Sequence, residues 1–174
     1  LVNIDPSSGK NKIIWDKDNI NLSSDVTEMV IYKEGNKYNQ FNQIGAISPK
    51  AGEFVDYTSN PQITTSRYRI AYNTVYEATS GQSGTHRSTH LMLNQGMGNS
   101  INLYWTAYEG GTIESYRIFR GETPESMSLL VEVAGSANSY TDMTPPKGLF
   151  YYAIEYDQVY NTEWTEETIL RSSS

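Results

Sequence analysis

His86 and His90 are the only histidines of the chain, and they stand four residues apart. On a helix that spacing sets two imidazoles side by side for a metal ion. On a strand it sets them about 13 Å apart. There is no cysteine, so thiolate zinc sites, cysteine nucleophiles and disulfides are excluded. The stretch Asp16 to Asp25, DKDNINLSSD, is dense in carboxylates and amides. It lacks the alternating oxygen ligands and the sixth-position glycine of a helix–loop–helix calcium site, having Ile20 and Asn21 at the fifth and sixth places. It reads as a solvated loop, with a calcium-binding loop of another kind as the alternative. Serines abound, but no G-x-S-x-G occurs. Glu166 and Glu167 are adjacent, so a strand points them to opposite faces. Glu109 lies beside Gly110 and Gly111 and belongs in a loop. A pair of catalytic carboxyls needs a separation of about 5–10 Å within a cleft, and nothing here offers one. No catalytic residue, cofactor-binding residue or metal ligand is assigned, and no cofactor is expected.

The remaining chemistry is aromatic. Fourteen Tyr stand against four Phe and three Trp. A tyrosine ring buries its face and keeps its hydroxyl wet, which suits small domains with much surface. Tyr76, Tyr160 and Trp164 fall at or just after the end of a tyrosine-rich strand, and Tyr57 and Tyr108 fall near turns. Two or three coplanar exposed rings would make a sugar-stacking platform. Rings that cover their own domain's edge would be structural, and the matched placement of Tyr76 and Tyr160 favours that role. Tyr76, Tyr160 and Trp164 are the candidate ligand contacts.

These rings sit in a chain that alternates in twos rather than with the helical period. KIIWDK places Ile13 with Trp15, and EMVIYKEG sets Val30 and Tyr32 against Met29 and Ile31. SRYRIAYN alternates Tyr68, Ile70 and Tyr72 against Arg69 and Ala71, and SINLYWTAY groups Ile101, Leu103 and Trp105. Clusters such as PSSG, SPKAGE, TSNP, SGQSG and TPPKG separate the runs as turns. Short strands so punctuated predict an all-β sandwich.

The pattern occurs twice. YRIAYNTVYE, Tyr68 to Glu77, returns as YAIEYDQVYN, Tyr152 to Asn161. Trp15 answers Trp105, VIYKEG answers RIFRGE, QIGAI answers LVEVA, and FVDYTSNP answers YTDMTPP. The offset drifts from ninety residues at the tryptophans to eighty-four at the tyrosines, as small loop insertions would produce. The last strand of the first copy is expected at His86 to Leu93, answered by Glu163 to Leu170. The glycine- and asparagine-rich NQGMGNS, Asn94 to Ser100, is expected as the hinge, which gives domains of residues 1–94 and 95–174.

Of the 174 residues, 37% are hydrophobic and 19% charged, which fits a folded chain with a thin core. Net charge is −7, and the thirteen basic residues are scattered, so nucleic acid is not an expected partner. No apolar run reaches the roughly 20 residues of a membrane span. The chain opens on LVNIDPSSGK, without an initiator Met or an apolar signal segment, and reads as part of a longer protein.

A Trp on an early strand, then YRIFRGE, then SYTDMTPPKGLFYYAIEY is an order that resembles the fibronectin type III domain. The second copy matches nearly throughout, and the first matches at the same landmarks with a longer loop at Lys17 to Thr27. The resemblance implies two tandem seven-stranded immunoglobulin-like sandwiches, each plugged by its own indole, Trp15 or Trp105. It also implies a tyrosine corner in each, with the hydroxyl of Tyr68 or Tyr152 on backbone. RGE at Arg120 to Glu122 is not the integrin-binding tripeptide, and EWTEE does not reproduce the cytokine-receptor signature. The tandem looks most like bacterial cell-surface or secreted proteins. The expectation is a non-catalytic spacer, display or protein-binding module of a larger exported protein. It would sit at the cell surface or outside the cell, with other domains of its parent and a protein or glycan ligand as partners. The alternative is a carbohydrate-binding accessory module of a secreted enzyme.

Overall fold

A computed structural model describes residues 1–17, 25–76, 78–160 and 168–173, with side chains up to Asp157. The chain divides into two compact units, Leu1–Ser88 and Thr89–Ser174. Unit 1 contains β1 (Val2–Ile4), β2 (Asn11–Ile14), β3 (Val26–Glu34), β4 (Phe41–Ile47), β5 (Glu53–Asp56), β6 (Arg67–Thr74) and β7 (His86–Arg87). Unit 2 contains β8 (Leu91–Gln95), β9 (Ile101–Trp105), β10 (Thr112–Thr123), β11 (Ser126–Ala134), β12 (Ser139–Asp142), β13 (Tyr151–Tyr160) and β14 (Thr168–Ser173). Unit 1 forms the sheets β1-β2-β5 and β4-β3-β6-β7, and unit 2 forms β8-β9-β12 and β11-β10-β13-β14. Adding seven to each strand number of unit 1 gives the order in unit 2, so the duplication legible in the side chains is carried by the hydrogen-bonded topology. Every pairing is antiparallel. Among the described residues no helix is long and apolar enough to cross a membrane.

Alternation decides which side chains enter each core. In unit 1, Met29 and Ile31 of β3 stand opposite Tyr72 and Ile70 of β6, and Val2 stands opposite Ile13. Val2, Ile13, Trp15, Met29 and Ile31 are buried. In unit 2, Tyr116 and Ile118 stand opposite Tyr156 and Ile154, and all four are buried with Leu103 and Trp105. There the aromatic rings form a cluster. Trp105 lies 5.5 Å from Tyr116, Tyr116 lies 5.7 Å from Tyr156, and Tyr156 lies 5.1 Å from Tyr108. Met29 replaces Tyr116 in unit 1, and Tyr72, the counterpart of the buried Tyr156, is 37% exposed. The indoles differ as well. Trp15 Nε1 donates to the Pro49 carbonyl at 3.1 Å, whereas Trp105 Nε1 has no hydrogen-bond partner among the described residues.

The strand expected at His86 to Leu93 is divided. His86 and Arg87 pair with Tyr68 and Arg67 of β6, while Leu91–Gln95 pairs with β9 of unit 2, Leu91 opposite Trp105. NQGMGNS is the β8–β9 hairpin turn, not the hinge: Gly96 N–H donates to the Ser100 carbonyl at 2.9 Å, and Gly98 takes the positive φ of 65° that the turn needs. A hairpin turn and a hinge draw on the same residues, and strand pairing tells them apart.

SGQSG is not a simple turn either. Thr79 to Arg87 runs antiparallel along β6, but Ser80 and Ser83, three apart, face Tyr72 and Ile70, two apart. Each serine amide donates to the β6 carbonyl opposite, at 2.9 Å for Ser80 and 2.8 Å for Ser83. Each serine hydroxyl accepts the β6 amide of the same residue at 3.0 Å and donates to the carbonyl of the following glycine. The hydroxyl therefore stands in for a ladder carbonyl, and each Ser-Gly step inserts one extra residue, as a β-bulge does.

Candidate functional site

The most enclosed carboxylates among the described residues come from one repeated signal. Asp56 ends β5 and Asp142 ends β12, each followed two residues later by a threonine. Asp56 is only 3% exposed. Its Oδ1 accepts from Thr58 N–H at 2.9 Å and from the Thr58 hydroxyl at 2.6 Å. Its Oδ2 accepts from Lys33 Nζ at 2.7 Å and from the Tyr68 hydroxyl at 2.8 Å. Lys33 and Tyr68 belong to the four-stranded sheet and Asp56 to the three-stranded one, so the carboxylate braces one layer against the other. Asn11 Nδ2 donates to the same Tyr68 oxygen at 3.0 Å, and Asn11 N–H donates to the Ser59 hydroxyl at 2.8 Å.

Unit 2 repeats the arrangement. Asp142 Oδ2 accepts from Arg120 Nη1 at 2.5 Å and from the Tyr152 hydroxyl at 2.7 Å, and its Oδ1 accepts from Thr144 N–H at 3.0 Å. Arg120 Nη1 also donates to the Thr144 carbonyl at 3.1 Å. The tyrosine hydroxyls therefore meet a carboxylate and not the backbone acceptor expected of a tyrosine corner. The aspartate has taken the place of that carbonyl because it lies inward at the end of the facing strand.

The electrostatics follow from this geometry. Burial pushes the Asp56 carboxyl up, but the hydrogen bonds from Lys33, Thr58 and Tyr68 outweigh it and hold the group below the usual carboxylate range. Burial likewise works against Asp142, and Tyr152, Thr144 and Arg120 overcome it. Burial raises both phenols, Tyr68 and Tyr152, and the adjacent carboxylates raise them further. Asp56 stays ionised with each oxygen already accepting two hydrogen bonds, which leaves no lone pair for a substrate. Among the described residues no group of three or more His, Cys, Asp and Glu could hold a metal ion.

The chemistry that faces outward lies on the four-stranded sheet of unit 1. Arg67 and Arg69 alternate with the inward Tyr68 and so share the outer face. The Arg67 guanidinium stands 5.1 Å from the Tyr38 ring and 5.8 Å from the Phe41 ring, and that of Arg69 stands 4.1 Å from Phe41. Tyr38, Arg67, Phe41 and Arg69 form an alternating ladder of rings and cations. Glu34 Oε1 fixes it by accepting from Arg67 Nη1 at 2.6 Å and from Asn39 N–H in the β3–β4 turn, where Asn39 takes a positive φ of 61°. Arg69 donates from Nη2 to Asn39 Oδ1 at 2.8 Å, from Nε to the Thr85 hydroxyl at 2.8 Å and from Nη1 to Gln82 Oε1 at 3.5 Å. All three acceptors are neutral. Tyr38, at the tip, is 84% exposed.

Tyr76, a candidate ligand contact, is 76% exposed after β6 in unit 1. Tyr160 lies in unit 2 with its backbone opposite Thr168, and its side chain lies outside the described residues, as does the whole of Trp164. Tyr57 is exposed, but Tyr108 is buried against Tyr156 and is no surface ring. Of the loop Asp16 to Asp25, residues 18–24 lie outside the described residues, as do Glu166 and Glu167. The aspartate brace and the ring–cation ladder were not singled out from sequence. The doubled Asp-x-Thr and the Arg-x-Arg of β6 were the signals for them.

No family model matches the chain, and no curated protein matches it. It is similar to two solved structures of fibronectin type III tandems. The FN1–FN3 domains of chicken CNTN1 match at 13% identity and a TM-score of 0.35, over 94% of this chain and 60% of that one. A two-domain fibronectin type III segment of chicken tenascin matches at 15% identity and a TM-score of 0.34, over 100% of this chain and 97% of that one.

Proposed function

We propose that the chain is a non-catalytic module of a larger exported protein, serving as spacer, display element or protein-binding surface outside the cell. The observation that carries this reading is the duplicated brace. The enclosed carboxylates Asp56 and Asp142 occupy the same place in both units, each bound to a tyrosine, a cation and a turn. A polar cluster repeated at the same position of a repeated fold does the repeat's structural work. A reaction centre needs a group free to take or give a proton, and Asp56 has none to spare. The extracellular placement rests on the sequence resemblance to fibronectin type III domains. Native affinity gels over a panel of polysaccharides, with assays on chromogenic esters, glycosides and phosphates, test the reading. No retardation and no turnover are expected. Retardation by a polysaccharide would move the chain to the carbohydrate-binding class, and turnover lost in Asp56→Asn would make it an enzyme.

A further inference from the structure

Charge is divided between the two units with complete asymmetry. Unit 1 holds nine Lys and Arg against nine Asp and Glu, while unit 2 holds four against eleven, so the entire net charge of −7 belongs to unit 2. Part of that excess lies on the outer face of its four-stranded sheet. Arg117 stands directly between Glu132 of β11 and Glu155 of β13 and donates from Nη1 and Nη2 to Asp157, with Glu155 at 3.5 Å. Asp157 and Glu155 share that one guanidinium, and Glu132 on the same face accepts from the Ser115 hydroxyl instead.

Unit 1 presents the complementary chemistry. Among the described residues no carboxylate reaches Arg69. Its guanidinium is held 4.1 Å from the Phe41 ring by three neutral acceptors, near the highly exposed ring of Tyr38. Tyrosine and arginine are the residue types that dominate binding hot spots. Arg69, already fixed by its three acceptors, loses little freedom on contact.

We infer that this ladder is a docking surface for the acidic second unit of another copy of the chain, giving a head-to-tail assembly. The inference rests on the reading of the chain as an interaction module and names its partner. Three pairings between copies can be compared. Unit 2 against unit 2 sets −7 against −7 and is repelled. Unit 1 against unit 1 carries no net repulsion but lays one cationic ladder on another. Unit 1 against unit 2 carries no net repulsion either, because unit 1 is neutral, and it gives Arg69 the carboxylate it lacks. A contact between two different surfaces does not close on itself, so association continues from copy to copy unless its rotation forms a ring.

Sedimentation velocity of the full chain from about 10 μM to 1 mM tests the assignment over the span of weak, transient contacts. In low salt the average mass should rise with concentration above the 19.6 kDa of one chain, and 0.5 M NaCl should reverse the rise. Arg69→Gln should weaken association at least about tenfold. Tyr38→Ala should do the same at a ring too exposed to matter for folding. The chain with Glu132→Gln and Glu155→Gln should also stay monomeric alone. Mixed with the Arg69→Gln chain it should form dimers and nothing larger, since each partner keeps one working surface. A wild-type chain that remains monomeric at 1 mM overturns the inference while leaving the spacer reading standing. Self-association of any of these three variants alone at wild-type strength also overturns it.

Discussion

Asp56→Ala tests the inter-sheet brace in the unit where its tyrosine, Tyr68, is enclosed as well. The carboxylate accepts four hydrogen bonds, from Tyr68, from Lys33 and twice from Thr58. Truncation leaves the Tyr68 hydroxyl, on a fully enclosed side chain, without its acceptor, at a cost of about 1–3 kcal/mol. Loss of the carboxylate that caps the Thr58 turn adds about 1 kcal/mol, by the measure of a helix cap. Lys33 is partly exposed and can turn to water, so its lost pairing adds only about 0–1 kcal/mol. The total, about 2–5 kcal/mol, is a large part of what holds a small domain together. Asp142→Ala should cost less, because Tyr152 is only half-buried and its hydroxyl can find water. Calorimetry of the full chain should resolve one transition per unit. In Asp56→Ala the unit 1 transition should fall by about 8 °C or more, at 4–8 °C per kcal/mol for a domain of this size, and the other should hold. A fall below about 4 °C, or equal displacement of both transitions, would refute the reasoning.

The same braces set the pH range. Asp56 and Asp142 are held below the ordinary carboxylate value, so their contribution is complete above about pH 4 and is lost as pH falls through the depressed value. Tyr68 and Tyr152 are held above the ordinary phenol value, so theirs is complete below about pH 10 and is lost as pH rises further. The urea midpoint of unit 2 should be flat between those limits, and a sharp decline there between about pH 5 and 8 would count against the brace; that of unit 1 should also fall as the pH drops from about 8 to about 5, because burial lowers the Leu1 amino group to about 5. Trp15→Phe should lower the urea midpoint of its unit more than Trp105→Phe does, by about 1 kcal/mol, because only Trp15 gives up a hydrogen bond; equal losses would contradict this. In Ser80→Ala with Ser83→Ala, hydrogen exchange at the Ile70 and Tyr72 amides should accelerate while that at Ile31 does not. Unchanged exchange would mean the hydroxyls do not carry those bonds.

The β-architecture and its duplication were legible because alternation survives in the residues that enter the core. Met29 and Ile31, Tyr68 and Ile70, Tyr116 and Ile118 occupy the faces their spacing demands. The two tryptophans were equally plain, and both are buried. What escaped depends on pairing rather than period. Tyr68 donates as readily to a carbonyl as to a carboxylate, and only the register that brings Asp56 to the end of β5 decides between them. SGQSG reads as a turn because hydroxyl-mediated pairing breaks alternation at every serine. The ladder joins Tyr38 and Phe41 to Arg67 and Arg69 from a distant stretch of chain, and no local pattern announces it.

The serine–glycine margin of unit 1 bears on crowding. A regular border strand offers its free amides and carbonyls at an even beat, and a neighbour's strand can lock to that beat. Along Thr79 to Arg87 the beat is broken twice, where three residues advance over the span of two. A foreign strand laid against this margin falls out of step after one or two bonds. Copies could therefore be strung closely together, touching through their faces, without knitting into fibres.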